Sequence, residues 1–254
     1  MTFRRYVALG DSFTEGVGDH DPALPNGVRG WADRVAAVLS ARTPDFEYAN
    51  LAIRGRKLRP ILAEQIDPAV AMRPDLVTLY AGANDVLRPK VDIDGLVAAY
   101  DAAVERLAEH AHVVLFTAYD PGESAIFGAL RGRFAVYNEL VREVADRHGA
   151  TVVDFWRMRE YRDDRMWDVD RMHMSSAGHQ RMAMAVLDAL GLEHSLEPLP
   201  LIDRPTLSPA ERRAAHLAWA REHAAPWVKR RLTGTSSGDS LDPRWPQPAP
   251  VTSS

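Results

Sequence analysis

Tyr6-Val7-Ala8-Leu9 is a short apolar run, and Gly10-Asp11-Ser12 follows it with no spacer. A strand buried on both faces of a parallel sheet reads as such a run. A turn at its carboxyl end delivers a serine to the edge where doubly wound α/β sheets keep their ligands. Four more short apolar runs, at 46–51, 76–80, 113–116 and 151–155, have the length and the β-branched or aromatic content of buried strands. Between them lie helical patterns at 31–41 and 58–72. Leu96, Tyr100, Val104 and Leu107 continue at helical spacing, as do Tyr137, Leu140, Val141 and Val144. A final helix is expected after Ser175 or Ser176, either of which can cap it, with Met182, Val186, Leu187 and Leu190 on one face and Gly191 as its stop. The alternation predicts a three-layer α/β/α sandwich around a flavodoxin-like, five-stranded parallel sheet.

The 254 residues suffice for one sizeable α/β core with additional tail. Apolar residues make up 46% and charged residues 26%, which excludes wholesale disorder, and a net charge of −4 argues against a general nucleic-acid binder. The chain has no cysteine, so disulfides, thiolate metal sites and a cysteine nucleophile are excluded. The chain opens Met1-Thr2-Phe3-Arg4-Arg5 and runs straight into the first strand without an apolar leader, so a cytoplasmic location is expected. No stretch approaches the ~18 apolar residues of a membrane span.

Three further segments could serve chemistry beside Ser12: Gly55, Gly82-Ala83-Asn84-Asp85, and Asp170-Arg171-Met172-His173. A serine hydroxyl is a weak nucleophile at neutral pH. Acyl transfer therefore needs a base to take its proton, a carboxylate to orient that base, and donors for the oxyanion that forms. Each motif alone also has a plainer reading. Gly-Asp-Ser and Gly-Ala-Asn-Asp are good turn sequences or helix caps, an Asp and His three apart are often a surface pair, and one glycine says little. Three of them, however, fall at or beyond strand ends on the edge that carries sites in such folds. Other motif readings fail on spacing. No Lys-Ser or Lys-Thr completes a phosphate loop at Gly10–Gly16, and Gly16-Val17-Gly18 lacks the third glycine of a dinucleotide fingerprint. Asp19-His20-Asp21 has no neighbours to complete a metal set. His179, His216 and His223 read as surface or packing residues, and Tyr161 and Trp167 as packing residues or walls of an acyl pocket.

Over about residues 5–192 these blocks resemble, in order and spacing, the SGNH or GDSL-type hydrolases. Gly10-Asp11-Ser12-Phe13 is similar to the nucleophile block, with Phe13 where leucine is usual. Asn50-Leu51-Ala52-Ile53-Arg54-Gly55 is similar to the glycine block, and Gly82-Ala83-Asn84-Asp85 to the asparagine block, with Ala83 where glycine is frequent. Asp170-Arg171-Met172-His173 is similar to the acid and base block, followed by Met174 where proline is common. The resemblance implies a serine esterase of lipase, lysophospholipase or O-deacetylase type that passes through an acyl-serine and needs no cofactor or metal. It implies Ser12 as nucleophile, His173 as general base and acid, and Asp170 as its orienting partner. The implied oxyanion hole is the Ser12 and Gly55 backbone amides with the Asn84 side chain. The absence of a Gly-x-Ser-x-Gly elbow disfavours the α/β-hydrolase fold as scaffold. An acyltransferase using the same acyl-enzyme is the alternative, and a non-catalytic small-ligand or partner-binding module is the reading from another class. The expected partner is a small-molecule ester, with no nucleic acid and no transmembrane segment.

The expected catalytic domain spans 1–195. Pro198, Pro200, Pro205 and Pro209 then punctuate a connector, and an amphipathic helix is predicted over 210–232. Its apolar stripe is Leu217, Ala220, Ala224, Trp227 and Val228, facing away from Arg212, Arg213, Arg221, Lys229, Arg230 and Arg231. Pro226 is expected to break or kink it. The stripe is expected to dock on the domain's own surface as a buttress, with a lid over the site or a membrane or partner contact as rivals. The Gly, Ser and Pro of 233–254 predict a mobile tail.

Overall fold

A computed structural model describes residues 2–122, 127–203 and 205–251, with 231 and 232 described through their backbone only. The apolar runs form β1 (Arg5–Gly10), β2 (Glu47–Asn50), β3 (Leu76–Tyr80), β4 (His112–Phe116) and β5 (Thr151–Val153). They pair in parallel in the order β5-β4-β3-β1-β2. This is the flavodoxin-like order, and the winding reverses between β1 and β3, which opens a crevice beyond their carboxyl ends. Gly10 at the end of β1 stands opposite Tyr80 at the end of β3. The short helices α1 (Ser12–Glu15) and α4 (Ala83–Val86) begin at that crevice.

Side chains alternate along β1 because successive residues of a strand point to opposite faces. Tyr6 and Ala8 pack with Trp31 and Val35 of α2 (Trp31–Arg42) and with Met182 and Val186 of α7 (Ser176–Ala189). Val7 and Leu9 pack on the other face with Ile61 of α3 (Leu58–Ala71), Val104 of α5 (Ile93–Ala108) and Val141 of α6 (Arg131–His148). Ser175 caps α7 by accepting from Gly178 N. Trp31, Tyr6, Tyr100 and Tyr137 are fully buried, so both layers are anchored by aromatic residues that bury large areas.

Beyond 195 the structure departs from expectation in three ways. First, the tail is not free: β6 (Trp245–Pro250) pairs antiparallel with β2, making a sixth strand at the sheet edge. Prolines at 246, 248 and 250 alternate along it. Backbone N–H groups in a strand point to alternate sides, so Trp245, Gln247 and Ala249 keep theirs for one neighbour while the prolines occupy the other side. The same alternation blunts the new edge against further pairing. Residues 252–254, part of the expected tail, lie outside the described residues. Second, the predicted long helix is divided into α8 (Pro209–Trp219), a π turn (Ala220–Ala224) and α9 (Ala225–Thr233). Pro226 falls in the first turn of α9, where its missing N–H is tolerated. Third, the predicted stripe is docked only in part: Leu217 is 63% and Val228 45% exposed, whereas Ala220, Ala224 and Trp227 are half-buried, as is Trp219 outside it. A π turn inserts a residue relative to α-helical spacing, which rotates everything after it and breaks the expected face.

Candidate active site

Asp11 caps α1 by accepting from Phe13 N at 3.1 Å, which sets Ser12 at the first helical position. The N–H groups of a helix start have no acceptor within the helix, so the Ser12 amide is available to an anionic oxygen. The end of β1 is held by a residue that the sequence reading did not single out. Buried Gln65 accepts from Gly10 N at 2.8 Å and donates to Gly10 O at 3.0 Å. Asn138 repeats the device beyond β4, accepting from Ala118 N at 2.7 Å and donating to Ala118 O at 2.9 Å. In each case one side-chain amide pairs with both backbone groups of a residue leaving the ladder, and buried backbone groups need such partners; Gly10 O accepts from Ile53 N at 3.3 Å as well. A polar residue on the inner face of an otherwise apolar helix is the signal that could have found both.

Asn84 lies in α4, immediately after β3. Its Nδ2 donates to Asp11 Oδ2 at 2.8 Å and to Arg56 O at 3.2 Å. Asp11 thus joins the serine helix to the asparagine. Burial pushes its carboxyl up to about 7, against the lowering effect of the Phe13 and Asn84 hydrogen bonds and of His173. The loop after β2 is held from the serine side. Buried Glu15 accepts from Arg54 N at 2.6 Å and from Arg54 Nη2 at 2.7 Å, while Asp85 accepts from Leu58 N at 2.8 Å. Gly55 between these ties has φ +76, a conformation that favours glycine, and a Cβ there would lie 2.1 Å from Ser236 Oγ.

Asp170 and His173 form a tight turn closed by Asp168 N donating to His173 O at 2.8 Å. Asp170 Oδ1 accepts from the amides of Met172 (2.9 Å) and His173 (3.0 Å), and its Oδ2 lies 2.5 Å from His173 Nδ1. Burial opposes ionisation of Asp170, yet the imidazole and the two amides outweigh it and hold the carboxyl at about 2. A carboxylate on Nδ1 fixes the tautomer that leaves Nε2 able to accept a proton. Gly18 packs behind this turn, and a Cβ there would lie 2.2 Å from Met174 O.

Ser12, Gly55, Asn84, Asp170 and His173 all line one cleft of about 1190 Å³. Among the described residues the Ser12 hydroxyl makes no hydrogen bond, to His173 or otherwise; such contacts are often long in free enzymes and tighten on substrate. Trp167 and Tyr161 border the cleft as well, but both are tied down: Tyr161 donates to Gly178 O at 2.6 Å and Trp167 Nε1 to Tyr161 O at 2.7 Å. Asp19 is occupied structurally by Arg34 and by the Ser176 hydroxyl. His179 is a core residue, accepting from Trp31 N and facing Val17 O, whereas His216 stands at the surface beside Arg171. His223, expected at the surface or in packing, lines the cleft. Among the described residues no helix is long and apolar enough to cross a membrane.

Known proteins agree with this architecture. LAE5, described as an alpha/beta hydrolase enzyme from the metagenome of Lake Arreo, superposes with a TM-score of 0.63 at 30% identity, covering 76% of this chain and 97% of that one. An acetylxylan esterase from Geobacillus stearothermophilus is 26% identical over 216 residues, 74% of this chain and 94% of its own length. Its crystal structure shares the fold at a TM-score of 0.60. A multidomain esterase from Ruminococcus flavefaciens is 28% identical over 119 residues, and the match spans only 16% of that protein. Residues 8–181, which contain the serine, glycine, asparagine and Asp-His segments, match the GDSL-like lipase/acylhydrolase family. The chain belongs to that family of ester-bond hydrolases.

Proposed function

We propose that the protein hydrolyses carboxylic esters through an acyl-serine formed on Ser12. The observation that carries this reading is the Asp170–His173 pair, with Nδ1 engaged and Nε2 without a partner among the described residues, in the same cleft as a serine at a helix start. His173 Nε2 takes the Ser12 proton as Oγ attacks the ester carbonyl. The oxyanion is received by the Ser12 and Gly55 amides and by Asn84 Nδ2, where it displaces the longer of that group's two contacts, to Arg56 O. Collapse expels the alcohol, which leaves with the proton from His173. Water then attacks the acyl-serine by the same route and releases the acid. Asp11 keeps Asn84 aimed while leaving the amide neutral. The acetylxylan esterase among the relatives makes acetate esters the first substrates to try. A fluorophosphonate tests the nucleophile directly: Ser12 Oγ bonds to phosphorus as fluoride leaves. Mass spectrometry is expected to find the adduct on Ser12, and labelling elsewhere with Ser12 unmodified overturns the assignment.

A further inference from the structure

The family match ends at residue 181, yet residues 219–244 touch three of the four segments that build the cleft. Trp219 Nε1 donates to Asp170 O at 3.0 Å, Ser236 Oγ to Arg54 O at 3.1 Å, and buried Arg244 donates to Glu15 O at 3.1 Å. These contacts reach the acid and base turn, the loop carrying Gly55, and the serine helix. Between them the π turn and α9 border the cleft, with His223 of the turn and Trp227 and Arg230 of α9 among its lining residues. Phe127, which also lines the cleft, meets Trp227 edge to face, ring centroids 6.0 Å apart.

A segment that only stabilised the domain could dock on any apolar surface. This one leaves Leu217 and Val228 in water and turns Trp227 into the cleft. Burying the aromatic there, and not the aliphatic stripe on the domain surface, is what shapes a substrate wall.

We infer that the segment 209–251 is the specificity element of this esterase: Trp227, closing against Phe127, limits the cleft to small monomeric esters and bars esters carried on a polymer. The inference rests on the esterase reading above. A closed aromatic wall discriminates by size, since a group that cannot fit loses contacts and must move packed rings. A polymer needs a groove open at both ends, and two lining rings held in contact obstruct its passage.

The test compares full-length wild type with Trp227→Ala and Phe127→Ala on p-nitrophenyl acetate, p-nitrophenyl octanoate, a monosaccharide acetate and acetylated xylan. Wild type is expected to favour the small acetates over the polymer by about a hundredfold or more in kcat/KM per acetyl group, a ratio within reach of a shaped pocket. Either variant is expected to raise the octanoate-to-acetate ratio of kcat/KM by about tenfold or more. Phe127→Ala removes the other ring of the same contact, so a folding failure in one variant leaves the other to decide. Equal wild-type rates on polymer and monomer, or an unchanged octanoate-to-acetate ratio in a folded variant, overturn the inference while leaving the esterase standing. Absence of hydrolysis of every ester, with no fluorophosphonate adduct on Ser12, overturns both.

Discussion

The cleft has two sides built differently. On one, Ser12, Gly55 and Asn84 stand within a few residues of β1, β2 and β3, and buried polar side chains lock the intervening loops: Gln65 on Gly10, Glu15 on Arg54, Asp11 on Asn84. On the other, the segment after 205 reaches the same space on a half-buried helix, held by a few hydrogen bonds and an edge strand. The difference teaches where rigidity is needed. Groups that meet developing charge must be held before reaction, and only the sheet ends offer that. A wall that sorts substrates can ride on a less deeply packed element.

The largest expected effect isolates the rigid side. Ser12→Ala should lower kcat for p-nitrophenyl acetate on the order of 10⁴-fold or more, as expected when a nucleophile acting as part of a unit is lost. Its unfolding midpoint should stay close to wild type, because the Ser12 hydroxyl makes no hydrogen bond among the described residues. Activity within about tenfold of wild type would remove Ser12 from the chemistry.

Arg244→Met should do the reverse, with a large loss of stability and little loss of chemistry per folded molecule. Arg244 is buried at 3% exposure, donates to Asp33 Oδ2 at 2.6 Å and to the carbonyls of Glu15 and Pro25, and leads into β6. Removing one partner of a buried pair strands the other charge, at a cost of about 3–5 kcal/mol. Urea unfolding measures it. A loss below about 1 kcal/mol, the scale of an exposed pair, would mean that the segment is bound far more loosely than the hydrogen bonds imply.

These two regions were also unequally legible in the sequence. The strands could be read because a doubly covered sheet forces continuous apolar runs, and the site because its residues sit directly after those runs. The locks were legible only in part. Gln65 and Asn138 stand out as polar residues on otherwise apolar helix faces, but Gln65, Asn138 and Glu15 all act on groups far away in the chain, and nothing local marks which group each will hold. The extension misled for a different reason. Its apolar stripe assumed uninterrupted helical spacing, which the π turn at Ala220–Ala224 breaks. Its prolines suggested disorder when their alternation left one side of an edge strand free to pair.

The next effect concerns acid. Burial holds His179 neutral and lowers it to about 4, while Trp31 N donates to its Nδ1 and Val17 O faces its Nε2. In the unfolded chain an imidazole titrates near ~6.5. Between these values the unfolded state takes up a proton that the folded state refuses, so this contribution is full above about 6.5 and is lost as pH falls toward about 4. The slope is up to about 1.4 kcal/mol per pH unit. Asp11, pushed up to about 7, gains stability over the same range, so the readout is a difference: from pH 7 to pH 5 the urea midpoint of wild type should fall relative to that of His179→Gln. Asp170, held at about 2, keeps its own contribution until lower pH, which separates it from His179. An equal pH response in the glutamine variant would assign the acid sensitivity elsewhere.

The smallest effect probes the seam between the two regions. Trp219 Nε1 donates to Asp170 O, and the Arg171 guanidinium lies over its ring, 5.0 Å from the centroid. Trp219→Phe keeps an aromatic face for Arg171 and deletes the donor. The lost hydrogen bond should cost about 1 kcal/mol in urea unfolding. If the Asp170 turn is fixed from within, by the amides of Met172 and His173 and by Asp168 N on His173 O, kcat should change by less than about threefold, since the catalytic geometry survives without its visitor. A fall of tenfold or more in kcat with KM unchanged would show that α8 helps to position the acid, and would move Asp170 from the rigid side of the cleft to the side that depends on the extension.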